Sequence, residues 1–123
     1  MKKIFLFILP LFFFLSCTLN TENEGTLVVS NHSENTSQII SEIYVKERES
    51  SGYTKLWNGR LKNNSSEFIC LKPGNYSVQV KVTEQGVLYD YVSTYTTGYN
   101  IYKPIREDAF VNVAFDGNGI YFE

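Results

Sequence analysis

Two thiols, one imidazole and a crowd of phenols are the groups in this chain with the most chemical potential. Cys17 and Cys70 are the only cysteines and His32 is the only histidine. A zinc site needs three or four such ligands, so this inventory argues against a metal centre and implies no cofactor. His32 sits in Asn31-His32-Ser33, a turn cluster, where an exposed loop position is the expectation and a general base is the minor alternative. Paired carboxylates could do acid–base work, as in glycoside hydrolysis, and Glu84, Asp90, Glu107 and Asp108 are the candidates. All four fall in turns or on polar strand faces, and Arg106 beside Glu107-Asp108 reads as a solvated loop. No nucleophile elbow, phosphate-cradling glycine loop or zinc spacing is present, so the reading is non-catalytic, with a hydrolase the least favoured alternative. Tyr89, Tyr91, Tyr95, Tyr99 and Tyr102 fall within fourteen residues. Tyrosine combines a large contact area, modest side-chain entropy and a hydroxyl, which suits a binding face for a protein or a glycan. The competing explanation is ordinary β-propensity, with one side of the strand packed inside.

Composition narrows the classes further. The 123-residue chain carries a formal net charge of −2 with 20% charged residues, a foldable composition without the basic excess that nucleic-acid binding needs. Five of the nine phenylalanines precede Cys17, whereas all nine tyrosines follow it, so the chain has two compositional regimes.

The first regime begins with Lys2-Lys3 and continues through Ile4–Leu15 without a charge. Twelve residues of helix rise about 18 Å against about 30 Å of bilayer hydrocarbon. The run is too short to span and is interrupted by Pro10, which matches the basic and apolar regions of an export signal. Its end, Ser16-Cys17, resembles the processing site of bacterial lipoprotein signal peptides, although Phe14 stands where that pattern usually has leucine. The resemblance implies cleavage before Cys17, lipid on its sulfur, and a membrane-anchored protein of the cell envelope, with the outer membrane or cell surface favoured over the inner membrane. Two or three acyl chains anchor stably where one does not. Loss of Lys2 and Lys3 would leave nine basic against thirteen acidic residues, so lipid rather than a basic face would hold the domain at the membrane. With Cys17 as a thioether, Cys70 is expected to be an unpaired, buried residue acting as a small hydrophobe.

The expected organisation is therefore a helical signal peptide over 1–16, a lipidated cysteine and flexible polar tether over 17–25, and a folded domain over 26–123. Within that domain, strand signals dominate. Tyr76, Val78, Val80 and Val82 alternate with Ser77, Gln79, Lys81 and Thr83, a half-buried strand. Ala109, Val111, Val113 and Phe115 share a parity in another. Ile40 and Ile43 break the period of two, which predicts either a bulge or a late start of the strand. Asn58-Gly59 suggests a tight reversal, Pro73-Gly74 a type II turn, and Asp116–Gly119 a further turn. Pro104 belongs at an edge or a strand end. Only residues 106–109 could form a helical turn.

Roughly seven to nine short strands predict an all-β, antiparallel β-sandwich, immunoglobulin-like or transthyretin-like. Its expected core is Val28, Ile43, Val45, Trp57, Leu61, Leu71, Tyr76, Val78, Val80, Val111 and Val113. The ordered set VVSNHS, IISEIYV, Trp57 and SSEFICLKPGNYSVQVKV resembles a family of small exported bacterial β-sandwich domains with a Pro-Gly-x-Tyr hairpin. The resemblance covers about residues 25–83. It implies a fold and an exported address, and brings no catalytic residue with it.

Overall fold

The alternation in residues 74–84 produces the longest strand and organises its sheet. In the computed structural model, which describes residues 24–95 and 101–123, Tyr76, Val78, Val80 and Val82 all turn inward and are buried. Ten strands occur among the described residues: β1 (Gly25–Asn31), β2 (Gln38–Glu47), β3 (Thr54–Leu61), β4 (Ser65–Leu71), β5 (Gly74–Glu84), β6 (Val87–Val92), β7 (Thr94–Tyr95), β8 (Lys103–Ile105), β9 (Phe110–Phe115) and β10 (Ile120–Phe122). They form two sheets. The first has the order β4-β1-β9-β10-β7; the second has β3-β2-β5-β6, with β8 also pairing β5. The architecture is all-β and mostly antiparallel, but β1 runs parallel to β9 and β7 parallel to β10. Residues 106–109 form a turn, not a helix.

The core fills the space between the sheets. Leu27, Val29, Val111, Val113 and Phe115 enter from the first sheet, and Ile40, Ile43, Val45, Val78, Val80 and Val82 from the second. Nine of the eleven expected core residues belong to this cluster. Trp57 is half-buried against it. Val28 is buried but outward-facing: β1 is central in its sheet, and its outer side chains are flanked by Phe68 and Cys70 on β4 and by Phe110 and Asn112 on β9. A strand buried on both faces shows no alternation from which the inward parity could be read.

Several turns follow their local chemistry. Gln85 and Gly86, with φ of 51° and 82°, make the two-residue loop between β5 and β6. Asp116 Oδ1 accepts the amides of Asn118 and Gly119 at 2.8 and 2.9 Å. The expected bulge is present: the pairing of β2 with β5 shifts between Ile40 and Glu42, and the Ser41 hydroxyl there bonds that of Thr83. Pro104 sits in β8, which among the described residues pairs only with β5.

Two other expectations fail. Pro73-Gly74 is not a type II turn, because Gly74 does not take a positive φ and already begins β5. It is a corner where the chain passes from the first sheet to the second, and the Tyr76 hydroxyl braces it by donating to Lys72 O at 2.7 Å. Nor does the chain reverse at Asn58-Gly59, since β3 runs through both residues. Gly59 instead leaves space for a neighbouring ring: a Cβ there would lie 2.8 Å from Trp57 Cζ2. Gly59→Ala should push the indole off the core, red-shift the emission of the sole tryptophan and cost about 1–2 kcal/mol. Unchanged emission together with an unchanged melting temperature would contradict this packing.

Cys70 also departs from expectation. Ile69 and Leu71 take the inward positions of β4, so Cys70 falls on the outer face, half-exposed and paired in register with Thr26. It is disulfide-bonded, not an unpaired core thiol. The only other cysteine in the sequence, Cys17, lies outside the described residues.

Candidate functional site

The tyrosines do not all gather on one surface. Tyr89 and Tyr91 share the inward parity of β6, opposite Val82 and Val80. Tyr91 is half-buried, with its ring 4.9 Å from that of Phe115 across the sandwich. Burial, and then the charge of Glu84, push its phenol above the ordinary tyrosine range. Tyr89 lies farther along the strand and is exposed. Tyr102 occupies a different place. Its hydroxyl accepts from Lys46 Nζ at 2.8 Å, and Arg48 lies 5.9 Å from the ring centre, so its face already holds cations. Tyr95 lies on β7, in the first sheet. Tyr99 lies outside the described residues.

A polar corner forms where the loop after β1 meets the turn between β9 and β10. Its hub is Asn31, fully buried, whose amide donates to Gln38 O and Leu61 O, both at 3.0 Å, while its oxygen accepts Ser33 N–H at 3.0 Å. Gln38 extends the network, donating from Nε2 to Gly117 O at 3.1 Å and to Glu84 at 3.2 Å, and accepting from the Ser33 hydroxyl. Above this lies an open cleft of about 420 Å³, lined by His32, Ser33, Glu34, Asn35, Gln38, Asp116, Gly117 and Asn118. His32 is exposed at its rim, as its turn position suggests. Among the cleft's polar side chains, Ser33, Gln38 and Asp116 are engaged in holding loops together. The sequence reading missed this hub, although the run of Asn31, Ser33, Asn35 and Gln38 from the end of β1 to the start of β2 was a usable signal.

The four carboxylates are dispersed. Glu84 accepts from Gln38 and Asn35, Asp90 lies 3.8 Å from Lys81 Nζ on the outer face, and Glu107 and Asp108 occupy an exposed turn. Among the described residues no group of three or more His, Cys, Asp or Glu side chains could hold a metal ion.

The remaining surface feature is apolar. Val87, Leu88, Tyr89 and Val92 are between 39% and 54% exposed, and all lie on β6, whose only partner strand among the described residues is β5. Phe68 and Phe110 are exposed on the outer face of the first sheet, and Leu56 on β3. No known family model, curated protein or solved structure matches this chain.

Proposed function

We propose that this chain is an exported bacterial lipoprotein whose β-sandwich is a non-catalytic binding or envelope-assembly module. The observation that carries the reading is the spacing of the amino-terminal region. A basic start and an uncharged apolar run end at Ser16-Cys17, and the first strand begins at Gly25 after the short polar stretch Thr18–Glu24. That arrangement suits a domain tethered closely to the outer membrane or the cell surface by lipid on Cys17. Within the sandwich class, the Tyr76 brace on Lys72 O resembles the tyrosine corner of immunoglobulin-like domains and supports that subclass. A binding role draws support from the exposed apolar residues of β6. An adhesin or glycan-binding role through the tyrosines draws on Tyr89, the exposed member of the group.

Two measurements test the parts separately. Metabolic labelling with a palmitate analogue should mark the full chain and leave Cys17→Ala unlabelled; equal labelling of both ends the lipoprotein reading. Because one sulfur cannot be both a thioether and half of a disulfide, a disulfide between Cys17 and Cys70 in the exported chain would also end the lipoprotein reading. For the binding role, amine-reactive crosslinking in intact cells should give a discrete adduct of the full chain. A chain that never forms one is not a binding module.

A further inference from the structure

The sandwich protects its sheet edges unevenly. In the second sheet, β3 is one edge, and its pairing with β2 is broken by two register shifts while Lys55 and Arg60 line the strand. Bulges and charges are the usual means of stopping an edge from recruiting another strand. In the first sheet, the edge strand β7 is two residues long, and β4 carries serines and Glu67. β6, the other edge of the second sheet among the described residues, has no bulge, no cation and a full six-residue length, and carries a single charge, Asp90. It pairs β5 over six residues without a shift, contains no lysine, arginine or proline, and exposes four large apolar side chains.

Its backbone is also oriented for pairing. Ser93 N–H donates to Val78 O at 2.8 Å, next to the opposed pair Val92 and Gln79. Hydrogen-bonded and non-bonded pairs alternate along an antiparallel ladder. Tyr91, Tyr89 and Val87 therefore spend their backbone groups on β5, and the amides and carbonyls of Leu88, Asp90 and Val92 point away from it. On the outer face the same three residues present apolar, acidic, apolar side chains in sequence. Asp90 is 55% exposed, and its 3.8 Å contact with Lys81 is too long and too wet to satisfy it.

We propose that β6 receives an added strand: an extended segment of a partner protein, apolar at alternate positions, with a lysine or arginine opposite Asp90. This rests on the binding-module reading and names its surface. Charge complementarity selects the occupant. A second copy paired antiparallel through its own β6 offers Asp90 no cation, because the strand contains none. Its fully overlapping register sets Tyr89 against Asp90 and inner-face residues against outer-face ones. The neighbouring registers oppose Asp90 to itself or to Leu88. A partner strand with one cation avoids each of these mismatches and supplies main-chain affinity by β-augmentation.

The test uses the full chain in detergent and three labelled eight-residue peptides of alternating valine and threonine. One has a central lysine, one has glutamate in its place, and one is the lysine peptide N-methylated at alternate residues. Fluorescence anisotropy should show the lysine peptide binding, the glutamate peptide at least fivefold weaker, and the methylated peptide not at all. Asp90→Lys should reverse the preference, and Leu88→Pro, which removes an outward amide, should abolish binding while keeping the wild-type melting temperature. If that proline disturbs the fold, N-methylation of the peptide still tests the pairing. Three results overturn the proposal: no binding of the lysine peptide at millimolar concentration, equal binding of the methylated peptide, or a preference that Asp90→Lys leaves unchanged. A wild-type dimer that Leu88→Pro returns to monomer would assign the edge to a second copy instead. A cellular crosslinked adduct that survives Leu88→Pro would sink the edge alone, whereas its absence from wild type would sink the module reading itself.

Discussion

Asn31→Ala should lower the melting temperature by roughly 10–20 °C. The side chain is fully buried and serves three backbone groups: the carbonyls of Gln38 and Leu61 and the amide of Ser33. Those groups belong to the start of β2, the end of β3 and the loop after β1, so one amide ties together three separate pieces of chain. The adjoining amide of Asn64 also closes on Asn31 O, at 2.6 Å, which brings in the connection to β4. Alanine leaves each of the three groups without its partner in a site closed to water. At about 1 kcal/mol each, the loss is roughly 2–4 kcal/mol. That is a large share of the ~5–15 kcal/mol that holds a typical domain together, and each kcal/mol moves the melting point of a domain this size by about 4–8 °C.

Asn31→Asp should be worse near neutral pH. It keeps the acceptor for Ser33 but turns a donor into a charged oxygen facing two carbonyls. Burial and those carbonyls would raise the folded-state pKa of the new carboxyl above its unfolded value. The ionisation part of the penalty is then greatest above the folded pKa and is lost below the unfolded one, where a protonated carboxyl donates to one carbonyl and leaves only the other unserved. Thermal melts of wild type, alanine and aspartate variants at pH 7 and pH 4 check both statements. An alanine variant within 3 °C of wild type, or an aspartate variant that does not recover relative to wild type in acid, would contradict the hub.

Phe115→Ala should cost about 3–5 kcal/mol, the range for emptying a fully buried aromatic site. Phe115 is 0% exposed and belongs to the first sheet, and its ring meets that of Tyr91 from the second. It therefore bridges the two layers. Its carbonyl also accepts His32 N–H at 2.8 Å, so a shift of β9 would disturb the polar corner. Chemical denaturation of wild type, Phe115→Ala, Tyr91→Leu and the double variant measures the bridge as a coupling energy, expected near 0.5–1.5 kcal/mol for a tilted aromatic pair. The cycle also assigns Tyr91. A side chain that works in the core lowers stability when truncated and couples to Phe115; one that works at a binding face would do neither.

These two residues mark the boundary of local inference. Phe115 shares the alternation of Val111 and Val113, and that periodicity alone orients it inward. Asn31 offers no such pattern: it reads as a turn residue, and its partners lie seven and thirty positions away. The tyrosines divide the same way. The alternation along β6 sets Tyr89 and Tyr91 on one side, but the reach of the opposite sheet decides which is covered. Tyr91 meets Phe115, while Tyr89, two residues farther along the strand, is left exposed.

What the sequence determined by itself is whatever depends on neighbours a few residues apart. The periods of β5 and β9, the bulge at Ser41, the tight loop at Gln85-Gly86 and the turn at Asp116 all follow from side-chain alternation and from residues that tolerate particular φ and ψ values. What only the tertiary structure decided is which strands became neighbours. Asn58-Gly59 has the chemistry of a reversal, yet the pairing of β3 with β2 and the ring of Trp57 hold it extended. Pro73-Gly74 turns the chain from one sheet to the other because β4 is claimed by β1 and β5 by β2. β1 and β9 meet in parallel across almost the whole domain, and that contact buries both faces of β1 and erases its alternation. Strand pairing is a contest among distant partners, settled by how much apolar surface the whole assembly removes from water.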